Sequence, residues 1–191
     1  MARQKEFDPE TALQRAIHVF WQKGYDGTSI QDLVNEMGVH KRSMYDTYGD
    51  KRSLFLLAVA RYADLEEEQQ RLLVGKAASP VKALRQLLES SVQVPPGQPL
   101  GCLLVNCATD VAPHDADVAK RVRAHFRFSE KLLTEVISQG QSSGLMRTTM
   151  DSSEAARHVF NAWLSVRVQV RAGVARSALM RTIDSALALV L

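Results

Sequence analysis

The sequence predicts an all-α protein of about nine helices with no sheet, and three observations carry that prediction. The six prolines stand at 9, 80, 95, 96, 99 and 113. Residues 10–79 and 114–191 are therefore free of the residue that most strongly breaks helix interiors. The glycines stand at 24, 27, 38, 49, 75, 97, 101, 140, 144 and 173, each where an apolar period is read to end. Between them apolar residues recur at helical spacing, one stripe per segment.

The first helix is expected to open with Asp8 as N-cap, Pro9 at its first position and Glu10 in its first turn. Leu13, Ala16, Ile17, Phe20 and Trp21 form its stripe, and Gly24 ends it. Thr28 or Ser29 caps a second helix with Ile30, Leu33, Val34 and Met37 on one face, stopped by Gly38. A third short helix runs from about Lys41 to Tyr48, where Gly49 stops it. The fourth opens at Asp50 and carries Leu54, Phe55, Ala58, Val59, Tyr62 and Leu65 toward Gly75. Ser79-Pro80 opens a fifth, to about Gln93, and a sixth covers Gly101 to Val111. The seventh starts at Pro113 or Asp115 and ends near Gly140. Asp151-Ser152-Ser153-Glu154 reads as a capping box for the eighth, which reaches about Arg171, and the ninth starts at Ser177.

Composition bounds the function. The chain has 191 residues, 46% apolar and 24% charged, an ordinary globular balance long enough for one domain or a small domain fused to a larger one. Two cysteines, Cys102 and Cys107, cannot make a disulfide framework. No Cys/His group stands at zinc spacing, so neither a metal nor a cofactor is expected. Residues 1–6 lack the apolar centre of a secretory leader, and the uncharged run from Ser90 to Thr109 holds too many prolines and glycines to span a bilayer. The expected setting is a reducing cytoplasm, without a membrane partner. The net charge of +3 is weak, and residues 1–61 hold nine Lys and Arg against eight Asp and Glu. The positive charge is local, at Lys41-Arg42 and Lys51-Arg52.

Two short helices joined by Gly38-Val39 have the form of a helix-turn-helix. The second would present Lys41, Arg42, Ser43 and Tyr45 to base edges of a major groove roughly 12 Å wide. Thr28, Tyr48 and Lys51 are placed to hold phosphate. No Ser/His/Asp set, carboxylate pair or phosphate loop stands at a spacing that supports catalysis. A helical-bundle adaptor without DNA binding and an enzyme remain as alternatives at this point.

The stretch Ala16-Ile17-His18-Val19-Phe20-Trp21-Gln22-Lys23-Gly24-Tyr25-Asp26-Gly27-Thr28-Ser29-Ile30 resembles the start of a TetR-family repressor. So do Met37-Gly38-Val39-His40-Lys41-Arg42-Ser43-Met44-Tyr45 and Tyr48-Gly49-Asp50-Lys51-Arg52-Ser53-Leu54-Phe55. Residues 8–62 carry the resemblance. Three positions depart from the family pattern: His40 replaces a Ser or Thr cap, Arg42 replaces a small residue, and Val34 replaces an Ala. The resemblance implies a homodimeric repressor of a double-stranded DNA operator. It implies a DNA-binding domain over residues 1–50 and a ligand-binding and dimerisation domain over 51–191. It also implies release by a small-molecule inducer.

The inducer site is read from polar or aromatic groups on apolar stripes: Tyr62, Cys102, Asn106, His125, Phe126, Ser129 and Trp163. Glu66-Glu67-Glu68 reads as a solvated helix face. Cys102 follows Gly101 at an expected helix start, a setting that favours reactive sulfur, and is a candidate thiol sensor. The eighth helix is apolar on two faces, Ala155/Val159/Ala162/Val166 and Ala156/Phe160/Trp163/Val170. The second face is expected to be buried by a partner chain.

Overall fold

The computed structural model describes residues 7–191, so the reading of residues 1–6 as lacking a leader falls outside the described residues. Among these there are nine helices and no strand. They are α1 (Pro9–Lys23), α2 (Ile30–Met37), α3 (Lys41–Tyr48), α4 (Lys51–Lys76), α5 (Pro80–Ser90), α6 (Leu103–Asp110), α7 (Ala116–Ser142), α8 (Ser152–Arg171) and α9 (Arg176–Ala188). No helix among the described residues is long and apolar enough to cross a membrane.

Short polar side chains fix most of the starts by accepting from N–H groups that a first turn leaves unpaired. Asp8 accepts from Thr11 N, Asp50 from Ser53 N, Ser79 from Lys82 N and Asp115 from Val118 N. The capping box falls at α2, not α8: Ser29 and Asp32 bond reciprocally, whereas Asp151 accepts from Ser153 N. Two glycines do not end helices. Gly75 lies inside α4, and Gly140 lies inside α7, which continues to Ser142. A Cβ at Gly140 would stand 2.4 Å from Met146 Sδ, so this glycine admits the Met146 side chain rather than stopping the helix. Helix α5 ends three residues earlier than expected and α6 begins two later, with Cys102 as its N-cap.

Two apolar cores run through the protein. One joins α1, α2 and α3 to the first half of α4 and continues through Cys102–Cys107 to Val118 and Val122. The other gathers α5, the second half of α7, α8 and α9. Helix α8 corrects the expectation that a partner chain must bury its second face. Ala155, Val159 and Val166 of one face and Ala156, Phe160, Trp163 and Val170 of the other are all buried within one chain, against α5, α7 and α9. Ion pairs fasten α4 to the start of α7 and to α1: Arg52 bridges Asp115 at 2.8 Å and Asp117 at 2.7 Å, and Arg61 meets Glu10 at 2.6 Å.

Gly101 sets the entry to α6. Its φ is +83°, and an added Cβ would approach Arg171 Cβ at 2.9 Å and the Arg167 carbonyl at 3.2 Å. Gly101→Ala is expected to cost about 1–3 kcal/mol, from left-handed strain and from displacing α8. Urea unfolding of the two proteins measures it, and Gly97→Ala, with open space at the same sign of φ, should cost less.

Candidate nucleic-acid interface and ligand cavity

The helix-turn-helix is assembled by its own sequence. Lys23 Nζ meets Asp32 at 2.6 Å, and this bond with those from Ser29 holds the Asp32 carboxyl well below the usual carboxylate range. Gly38 turns the chain in the left-handed region at φ 67°, and Val39 N returns to the Val34 carbonyl. Met44 and Tyr48 pin α3 inward; Met44 is wholly buried. That rotation leaves Lys41, Arg42 and Tyr45 exposed and Ser43 half-buried. The Arg42 side chain is 94% exposed, 3.7 Å from Asp46. His40 makes no side-chain cap bond, so the first N–H groups of α3 lack the side-chain acceptor that α1, α2 and α4 have.

Two residues expected on phosphate are turned inward. Thr28 is buried, and its hydroxyl donates to the Gly24 carbonyl at 2.6 Å. The Tyr48 hydroxyl donates to the Pro9 carbonyl at 2.7 Å, tying α3 to the start of α1. Both are braces, because each occupies an apolar position of its segment. Lys51 keeps its place at the start of α4, its ammonium 4.4 Å from the centre of the Tyr25 ring. That ring packs in turn on Phe20 and Phe55.

A cavity of about 160 Å³ lies where α1, α4, α8 and the segment before α6 meet, lined among others by Trp21, Tyr62, Gln70, Ser91, Cys102 and Arg167. It shares Trp21, Tyr62 and Glu66 with an adjoining hollow of about 300 Å³ that runs along α1 past Ile17 and His18. Arg167 organises it. This arginine is buried, yet its guanidinium donates to Glu66 Oε2 at 3.1 Å, Cys102 Sγ at 3.2 Å and Ser91 Oγ at 3.3 Å. It also lies 4.3 Å above the Trp163 ring. Burial raises the Tyr62 phenol well above its ordinary value, with Cys102 and Glu66 adding to the effect, so it stays a neutral O–H. Burial likewise pushes the Cys107 thiol up to about 12.

Of the seven residues expected around a ligand, Tyr62 and Cys102 line this cavity. The other five do not. Trp163 supports its wall from behind, Nε1 donating to Ser91 Oγ at 2.6 Å. The Ser129 hydroxyl donates to Gln70 Oε1 at 3.0 Å. Phe126 packs edge-on against Phe160 at 5.6 Å. Asn106 is half-buried on α6. His125 is buried, 3.4 Å from Glu67 Oε1, with neither ring nitrogen hydrogen-bonded. The stripe that carries these groups on α7 is core.

Glu66 overturns its reading as part of a solvated face: it is the counter-ion of Arg167. Trp21, Gln70 and Ser91 also went unread as site residues. A signal existed for two of these four, since Tyr62, Glu66 and Gln70 stand at i, i+4 and i+8 and continue the apolar stripe of α4 with polar groups.

Residues 12–58 match the family model for bacterial regulatory proteins of the tetR family, and residues 80–186 match that for the tetracyclin repressor-like C-terminal domain. The uncharacterized HTH-type transcriptional regulator YezE of Bacillus subtilis is 33% identical over 87% of each chain. The HTH-type transcriptional repressor ComR of Escherichia coli is 26% identical over 98% of this chain and 90% of its own. A cysteine mutant of the TetR family transcriptional regulator CifR, solved with 26-base-pair double-strand operator DNA, superposes with a TM-score of 0.85 at 30% identity. That match covers 97% of this chain and 98% of the other.

His125 gives the stability a pH dependence. Burial, then Arg167 and Arg121, lower its pKa from 6.5 to about 3 in the folded protein. Below pH 6.5 the unfolded chain therefore binds a proton that the folded chain refuses, and stability falls as pH drops toward 3. From pH 7 to 5 the loss is expected to be about 2 kcal/mol, from a slope of about 1.4 kcal/mol per unit. Urea titrations at the two pH values measure it, and His125→Gln should remove that part of the difference.

Proposed function

The chain belongs to the TetR family of bacterial regulatory proteins, and from that premise we propose that it is a homodimeric repressor of a palindromic operator. A small molecule or thiol-reactive compound in the cavity lined by Tyr62 and Cys102 releases it. One observation carries the DNA reading: Met44 and Tyr48 pin α3 inward while Lys41, Arg42 and Tyr45 stay exposed to solvent. A helix so placed offers its first side chains to base edges, arginine and lysine to guanine above all. Ser43 contributes at the margin of that set, and Lys51 takes a backbone phosphate. The likeness to CifR, solved with operator DNA, supports the DNA reading. DNA reading falls to residues 1–50 and ligand binding and dimerisation to residues 51–191, in a cytoplasmic protein.

The cavity is suited to the switch because its walls come from both parts, Trp21 from α1 and Arg167 from α8. A compound that prefers one relative placement of these walls shifts the population of heads able to bind the operator. Cys102 is the sulfur such a compound meets, since it lines the cavity in contact with Arg167. The outer faces of α8 and α9 supply the two-fold interface. They leave Val168 54% and Leu189 50% exposed.

Selection of bound sequences from a random duplex library tests the reading. A symmetric site with half-sites roughly 34–36 Å apart is expected, and enrichment of no symmetric site would sink it. Arg42→Ala should lose about tenfold or more in affinity and relax one base position. Lys51→Ala should weaken all sequences alike and lower the salt slope by about one. Val168→Glu should shift the protein toward monomer in sedimentation at micromolar concentration. A monomeric wild type under those conditions contradicts the dimer.

A further inference from the structure

Helix α3 carries a single acid, Asp46, among the cations and hydroxyls of Lys41–Tyr48. Successive residues of a helix turn by about 100°. Asp46 stands two residues after Met44 and two before Tyr48, so its side chain leaves the axis about 160° from each of these buried anchors. By the same rotation no other residue of α3 is directed so squarely away from the core. The Asp46 side chain is 70% exposed, and Arg42, one turn earlier, is its neighbour at 3.7 Å. The whole helix has eight residues, about 12 Å of length, so Asp46 enters a major groove whenever Arg42 does.

A carboxylate in that position has few partners. Phosphates repel it, and it weakens the general attraction between the protein and DNA. The ion pair with Arg42 does not account for it, because an exposed pair of this kind contributes little. A carboxylate accepts hydrogen bonds and donates none. In the major groove guanine presents two acceptors, N7 and O6, and thymine presents O4 and a methyl group. Adenine offers its N6 amine beside the N7 acceptor, whereas cytosine offers its N4 amine with no acceptor of its own on that edge. The Arg42 and Asp46 head groups lie 3.7 Å apart, about one base-pair step of 3.4 Å. We propose that Asp46 reads cytosine through N4, in the base pair next to the one that Arg42 takes. This role rests on the operator reading of α3, and it adds to each half-site a position chosen by an acceptor rather than by a donor.

Selection from a random duplex library with the wild type, Asp46→Asn, Asp46→Ala and Arg42→Ala tests it. Wild type should enrich cytosine at one position of each half-site, by about tenfold over thymine or guanine. Asp46→Asn keeps the size and removes the charge, and it should move that preference to adenine, whose N6 and N7 an amide meets together. Asp46→Ala should leave the position open. Arg42→Ala should keep the cytosine and relax the adjoining position instead. Affinity separates reading from folding: Asp46→Ala should lose about tenfold on the wild-type site yet gain on an unrelated duplex, where only a repulsion has been removed. A disturbed α3 would weaken both. A wild-type site without the cytosine, a site that Asp46→Ala selects unchanged, or relaxation confined to the Arg42 position would each overturn this role and leave the operator reading standing. Failure of the wild type to select any symmetric site would overturn both.

Discussion

A single buried cation sets the terms for the interior of this protein. Arg167 sits on α8 where burial alone would make its charge expensive, and the surroundings answer it one group at a time. Glu66 on α4 supplies the opposite charge, Ser91 after α5 and Cys102 before α6 each accept one further N–H, and the Trp163 face lies beneath it. Leaving such a charge without its partner costs about 3–5 kcal/mol, which is comparable to a large part of the stability of a domain. The segment between α5 and α6 has no apolar period to hold it in place. Its position follows from Ser91 and Cys102 being bound to Arg167, from the Gly97 carbonyl accepting from His18 at 2.9 Å, and from Gly101 lying against α8.

The recognition surface is built on the opposite principle. Nothing charged is buried there. Met44 and Tyr48 fasten α3 through apolar contact and one hydroxyl, and the cations stay in water. Lys51 rests on an aromatic stack that belongs to the core of α1 and α4, so its position is inherited from the core rather than from ion pairing. Arg52, its neighbour, is committed to Asp115 and Asp117, and the adjacent basic residues therefore divide the work of holding the body and facing outward.

Most of the fold was legible because helix starts are written in short polar residues. Asp8, Ser29, Asp50, Ser79 and Asp115 each cap where the sequence places a start. Glycine was a less certain guide, since a long helix packed on both sides tolerates one in its interior, as at Gly75 and Gly140. The two-faced pattern of α8 was read correctly as burial all round, but the pattern is silent on which chain does the burying. Of the site, the exposure of Lys41, Arg42 and Tyr45 followed from helix periodicity. The cavity did not, because an isolated arginine on an apolar helix looks like an interface residue until its partner from a run of three glutamates is known. Long-range pairing across a hundred residues leaves no trace in local spacing.

The placement of the two indoles has an optical consequence. Trp21 and Trp163 are the tryptophans of the chain. One stands edge-on to Tyr62 at 5.0 Å on the side of α1, and the other lies under the Arg167 guanidinium on the side of α8. The ultraviolet emission of the whole molecule therefore originates from the two sides of one junction. Its colour reports the polarity there, and its intensity reports how closely phenol and guanidinium approach the rings. The protein carries its own fluorophores at the seam between α1 and α8.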